Sequence, residues 1–191
     1  MKPDERNLLP SPDVTEARAA AQSDWTSRVL LVVATALLAV TFAREFFAST
    51  PDIVGKPAPP LTARRLDGTP ISLTALTGKV VLMDFWSVAC GPCVSQIPIL
   101  SAVESRYRGR AFQLVSLNVE PTEWPTAGNW LKQRLAGSIV VTTDSRTASA
   151  YGAARLPHLV LVGTDGVVAQ TFSGFTREAT LAAAIDREML R

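Results

Sequence analysis

Cys90 and Cys93 are the only two cysteines in 191 residues, and they stand two residues apart in Cys90-Gly91-Pro92-Cys93, directly after the apolar run Val80-Val81-Leu82-Met83-Asp84-Phe85-Trp86. If Cys90 sits at the mouth of a strand-to-helix turn, the pair can close a disulfide or open as a dithiol with little backbone movement. The unsatisfied N–H groups and positive dipole end of that helix favour a thiolate on the first sulfur, and the thiolate is the nucleophile. Cys90 is therefore expected to attack and Cys93 to resolve. Pro92 suits an early helical position, where its missing N–H would have no partner. Two blander readings stand beside this one. A zinc half-site needs about four ligands, and the only further soft ligand is His158. A structural disulfide across so short a loop removes little chain entropy.

The elements that must hold this pair are legible from patterning. Strands and helices alternate after residue 60, which favours a βαβ architecture. We expect a hairpin from Leu61 to Leu73 turning at Asp67-Gly68, and a buried strand from Lys79 to Trp86. A helix from about Cys93 to Arg108 follows, kinked by Pro98. Phe112 to Val119 reads as a strand, Trp124 to Leu135 as a helix and Ile139 to Thr142 as a short edge strand. Leu159 to Val162 and Val167 to Phe172 form a hairpin around Thr164-Asp165-Gly166, and Thr176 to Leu190 closes the domain as an amphipathic helix.

The amino-terminal third has a different composition. Residues 1–28 are a polar tail with Pro3, Pro10 and Pro12 and charges of both signs. Val29 to Ala43 then contains no charge, glycine or proline, as a lipid-facing helix does. With Arg28 and Arg44 at its ends and Trp25, Phe46 and Phe47 near the interfaces, residues 29–47 are expected to be a transmembrane anchor. The uncharged core covers only about 22 Å at 1.5 Å per residue, so the flanks or local thinning must complete the span. A cleaved signal sequence and a buried core helix are the competing readings. Residues 48–60 are expected to be a Pro-rich linker to a domain at 61–191. A formal net charge of +2 and the lack of a basic run argue against nucleic acid. The absence of a third cysteine argues against peroxidase chemistry.

The motifs together resemble the thioredoxin superfamily. Asp84-Phe85-Trp86 followed by Cys-Gly-Pro-Cys is a specific match, and the resemblance covers nearly all of residues 54–191. Gly55-Lys56-Pro57-Ala58-Pro59, Leu66-Asp67-Gly68, Gly78-Lys79 and the inserted helix near Trp124 look more like the TlpA/ResA/DsbE branch. The resemblance implies a thioredoxin fold, a central mixed sheet flanked by helices, with an amino-terminal hairpin extension. It implies a thiol–disulfide oxidoreductase on the periplasmic side of the inner membrane, needing no cofactor or metal. Its partners would be exported proteins with cysteine pairs, as in cytochrome c maturation or copper-site assembly, and a membrane electron donor of thiol–disulfide type.

By position, Asp84 matches the buried acid that moves a proton to or from the inner cysteine. Pro157, in Leu156-Pro157-His158, matches the cis-proline facing the disulfide, which frees the backbone of Leu156 to pair with a substrate strand. Gly174 matches the glycine lining that groove, where a missing side chain permits close approach. Trp86 is taken as packing or as part of the groove rim.

The sequence also departs from the pattern. Ala89 stands where a tryptophan usually precedes the first cysteine, Gln96 where the branch often has glutamate, and Ser116 where thioredoxins carry a lysine that would hold the Asp84 pKa down. Glu120 is read as an exposed loop carboxylate, and His158 as a packed side chain with a backbone partner rather than a contact of Cys90. Two other functions use the same residues: a Cu(I)-binding module through Cys90 and Cys93, with or without His158, and an oxidant or isomerase running the pair in reverse.

Overall fold

The computed structural model describes residue 25, residues 27–41, 51–120, 122 and 126–191. The chain divides into two units, Met1–Ser49 and Thr50–Arg191. In the first, residues 27–41 form helix α1, whose described side chains are all exposed. Its two threonine hydroxyls are turned back on the helix, Thr35 Oγ1 donating to the Leu31 carbonyl at 2.9 Å and Thr41 Oγ1 to that of Leu37 at 3.0 Å. Among the described residues, no helix is long and apolar enough to cross a membrane. Most of the expected tail (1–28) and positions 42–47 of the expected anchor lie outside the described residues, as does Trp124.

The second unit is built on β3 (Val80–Trp86), whose seven residues are all buried. A strand covered on both faces reads as a continuous apolar run rather than an alternating one, and here only Asp84 interrupts it. The remaining strands are β1 (Ala63–Arg65), β2 (Pro70–Ile71), β4 (Phe112–Asn118), β5 (Ile139–Thr143), β6 (His158–Val162) and β7 (Val168–Ser173). They form one mixed sheet in the order β2-β1-β5-β4-β3-β6-β7. The β3–β4 and β4–β5 pairs are parallel, and the others antiparallel.

Alternation along β3 divides the core in two. Val80, Leu82 and Trp86 face the layer of α2 (Gly91–Arg106), α3 (Thr126–Lys132) and α5 (Glu178–Met189). Val81, Met83 and Phe85 face a second cluster with Ile53, Ala148 and Tyr151. Asp84 shares the phase of the first set and so points to the α2 side of the sheet.

Three expectations change. Ile139–Thr143 is not an edge strand, because the extension hairpin adds to its outer side: β1 pairs with β5, Ala63 opposite Thr143. A short helix, α4 (Ser145–Ala150), had no signal beyond its cap, since Ser-Arg-Thr-Ala-Ser-Ala carries no large apolar residue; Asp144 caps it by accepting from Thr147 N at 2.7 Å. Part of the expected linker belongs to the domain: Gly55 N donates to Val168 O, Val168 N to Lys56 O and Ala58 N to Gly166 O, all within 2.9 Å, and Ile53 is buried.

Candidate active site

α2 begins at Gly91 with Cys90 as its N-cap, and Cys90 and Cys93 are joined as a disulfide with Cα atoms 5.2 Å apart. Pro92 occupies the first turn, as a residue without an N–H should. The Cys93 N–H donates to Cys90 Sγ at 3.2 Å, so the cap position is filled by sulfur in place of the usual side-chain oxygen. Cys90 is half-exposed, whereas Cys93 is buried in the core cluster with Trp86, Ile97 and Leu159. The two sulfurs are therefore unequal in the way an attacking and a resolving thiol must be. When the pair is reduced, the same N–H groups and helix dipole stabilise charge on Cys90.

Asp84 is on the same face of β3 as Trp86, which packs in one cluster with Cys93; Asp84 is 2 % exposed, with Oδ1 lacking any hydrogen-bond partner. Burial alone pushes its carboxyl pKa up from 3.8 to about 7, because nothing opposes the loss of hydration. Register explains why nothing opposes it. Ser116 is the residue opposite Asp84 on β4, and its hydroxyl is engaged with Ser138, which in turn donates to Leu114 O. Leu159 on β6 is the other residue opposite Asp84, so neither cross-strand neighbour carries a cation.

The Leu156–Pro157 bond is cis, as the match at Pro157 requires, and Gly174 lies against it, its N–H donating to Pro157 O at 2.8 Å. The reason for glycine here is the backbone. Its φ is +81°, a left-handed conformation, while a Cβ built on it would meet nothing within 4 Å.

With this geometry in view, comparison with known proteins is specific. The Redoxin family profile matches residues 53–185. The chain belongs to the Redoxin family. Within it, similarity is to thiol–disulfide oxidoreductase ResA of Geobacillus thermodenitrificans, 27% identical over 146 residues covering 76% of this chain and 84% of the relative. ResA of Bacillus subtilis (strain 168) is 25% identical over 153 residues, 80% of this chain and 86% of that one. Among solved structures, a putative thiol:disulfide interchange protein DsbE from Chlorobium tepidum shares the fold with a TM-score of 0.61 at 23% identity, covering 71% of this chain and 97% of that chain. A DsbF homologue from Corynebacterium diphtheriae does so with a TM-score of 0.61 at 21% identity, covering 69% of this chain and 86% of that chain. The thioredoxin-like fold and the ResA/DsbE-like relationship expected from Asp84-Phe85-Trp86 and Cys-Gly-Pro-Cys are thus found.

The remaining residues of this Redoxin site fall into two groups. Cys90, Cys93, Asp84, Leu156, Pro157 and Gly174 converge on the carboxyl end of β3 and the start of β6. Trp86 does not reach the surface there: it is 1 % exposed and stacks on Trp130 of α3 with ring centroids 6.2 Å apart, so it supports the site from below. That is a correction to a rim role, and strand phase is its cause, since Trp86 follows Asp84 by two residues onto the α2-covered face.

His158 is on the opposite face of the sheet from Cys93, beside Phe85 and Tyr151. Its Nε2 is 3.0 Å from the Tyr151 carbonyl oxygen, which can only accept, so Nε2 carries the proton and Nδ1 accepts from Ser173 Oγ at 3.2 Å. Burial holds its pKa below the ordinary histidine value despite that carbonyl. The packed reading of His158 is the one the structure bears out.

Sequence reasoning treated Gln96 as a missing acid and overlooked what it does. The side chain is fully buried and grips Thr176 at two points, Nε2 donating to Thr176 O at 2.8 Å and Oε1 accepting from Thr176 N at 2.7 Å. Its spacing three residues after Cys93, which puts it on the same buried helix face, was the available signal.

Proposed function

We propose that this protein reduces disulfides in exported polypeptides, acting as a single-pass membrane protein whose redox domain lies on the extracytoplasmic side. The protein is a thiol–disulfide oxidoreductase of ResA/DsbE type. The observation that carries the reductive reading is the disulfide at the cap of α2, half-exposed at Cys90 and buried at Cys93, together with a buried acid whose pKa is pushed up to about 7.

In this mechanism the Cys90 thiolate attacks one sulfur of a substrate disulfide. A Cys90–substrate bond forms, and the first substrate sulfur leaves as a thiolate that takes up a proton from solvent. The Asp84 carboxylate then accepts the Cys93 proton, and the Cys93 thiolate attacks Cys90 Sγ. The mixed disulfide breaks, the second substrate sulfur leaves as a thiolate that is protonated as Asp84 gives its proton back, and the Cys90–Cys93 pair has lost the two electrons the substrate gained. A membrane dithiol donor resets the pair. A Cys-Gly-Pro-Cys couple of thioredoxin type has a potential of order −270 mV, which suits reduction. Support for anchoring comes from the uncharged run of residues 29–43 and from the hydroxyls of Thr35 and Thr41, which are satisfied by carbonyls of their own helix.

Trapping tests the proposal. Full-length Cys93→Ser expressed in native membranes should accumulate mixed disulfides with exported cysteine-pair proteins; a trap that collects only cytoplasmic proteins, or none, removes it. A potential above about −180 mV would turn the reading to oxidation or isomerisation by the same pair. For the Cu(I) reading the sheet stands between His158 and the thiols, so the ion would be held by Cys90 and Cys93 alone.

A further inference from the structure

Phe175 is 54 % exposed and is the one exposed aromatic side chain among the described residues of the redox domain. Isolated surface aromatics are ordinary. This one is unusual in how firmly its backbone is tethered. On one side, Gly174 N donates to Pro157 O. On the other, Thr176 is held through both its N–H and its C=O by the buried Gln96 amide. Pro157 flanks the groove, and Gln96 lies one turn beyond Cys93, so residue 175 bridges the gap between the Leu156–Pro157 segment and the first turns of α2. Cys93 is buried on α2 one turn nearer the helix start than Gln96, which puts the disulfide at the α2 side of that gap. Across the site, the residue before Cys90 is the small, exposed Ala89, which presents little apolar surface.

We propose that Phe175 selects substrates by packing on an apolar side chain next to the reacting cysteine of an extended polypeptide, and that Gln96 is the positioning residue that holds Phe175 at the groove. The inference rests on the reductase reading and adds a substrate class to it: cysteines flanked by aliphatic or aromatic residues. The occupant is a polypeptide because the two groove walls that Phe175 joins are the ones an extended strand would cross to reach Cys90. An amide suits position 96 because it donates and accepts at once, whereas an ionised carboxylate has no proton for the Thr176 carbonyl.

The test uses the full-length protein in detergent and two disulfide-bonded peptides of equal length, one with leucine and one with serine on both sides of each cysteine. The wild type should favour the leucine peptide about tenfold in kcat/KM, the scale of one small apolar contact. Phe175→Ser should bring the ratio close to one, chiefly through KM, and Phe175→Leu should restore it. Gln96→Glu should reduce the ratio at neutral pH while far-UV circular dichroism stays unchanged. A wild-type ratio near one, or a Phe175→Ser variant that keeps the wild-type ratio, overturns the role of Phe175. Equal losses on both peptides do the same, because they mark a structural effect. A wild type that reduces neither peptide overturns the reductase reading itself, and this inference with it.

Discussion

Asp84→Asn is the perturbation whose outcome follows most directly from the structure. The carboxyl has an ordinary pKa of 3.8 in the unfolded chain and about 7 in the folded protein. Because the folded state is the tighter proton binder, stability must fall as pH rises through the window between those values. At 1.36 kcal/mol per tenfold change in proton affinity, the loss approaches about 4 kcal/mol above pH 7. Asparagine cannot ionise, so its burial adds only a pH-independent offset. Urea denaturation of the oxidised wild type and variant at pH 4, 5, 6, 7 and 8 should give curves that diverge as pH rises, with the variant gaining relative stability throughout. Other titrating groups, His158 included, cancel in the difference. Parallel curves would refute the claim that an unpartnered carboxylate lies buried on the α2 side of the sheet. In the reduced enzyme, the resolution rate should rise with pH to an inflection near 7 in the wild type, and Asp84→Asn should lack that inflection.

Cys90→Ser should abolish reduction of insulin disulfides, while Cys93→Ser should retain attack and accumulate mixed disulfides visible on non-reducing gels; full turnover by either variant contradicts the assignment of roles. Gly174→Ala forces a Cβ into a left-handed conformation and should lower stability by about 1 kcal/mol in thermal or urea unfolding, with no steric contribution from neighbours. His158→Phe leaves the Tyr151 carbonyl unpaired and should cost about 1–3 kcal/mol while peptide-disulfide reduction stays within about twofold of wild type. Since burial depresses the His158 pKa, its stabilising contribution is present above the ordinary histidine value and is lost as pH falls through the lowered one, so the stability gap to His158→Phe should narrow in acid.

The chemistry of this protein was more legible than its scaffold because the chemistry is local. Cys90, Pro92 and Cys93 announce a capped helix start through spacing alone, and the continuous apolar run of Val80–Trp86 announces a doubly covered strand into which Asp84 must be buried. What was hidden depends on partners far along the chain. The place of β5 inside the sheet is decided by β1, about 75 residues earlier, and no local pattern in Ile139–Thr143 distinguishes an edge from an interior position. The Gln96 clamp joins residues 80 positions apart. Trp86 was left between packing and rim for a simpler reason: aromatic character suits both equally, and only the phase it shares with Asp84 separates the two. Pro98, expected to kink the helix, lies within the continuous span of α2.

Three departures from the thioredoxin pattern acquire a common consequence in the structure. Where relatives carry a lysine, Ser116 turns to Ser138 and leaves Asp84 without a cation. Where the branch often carries a glutamate, Gln96 spends its neutral amide on Thr176. Where a tryptophan usually precedes the first cysteine, Ala89 is bare, and the exposed aromatic surface is supplied from the far wall by Phe175. The first two changes remove one positive and one negative group from the surroundings of the thiols, so the proton traffic of Cys93 depends on Asp84 with little electrostatic tuning from either side. Burial then becomes the dominant control on that acid, and burial is insensitive to salt, whereas a carboxylate held by a neighbouring lysine is partly screened. The inflection near pH 7 in the resolution rate should accordingly stay in place between low and physiological ionic strength, and a marked displacement with salt would mean that a charge beside Asp84 governs it after all.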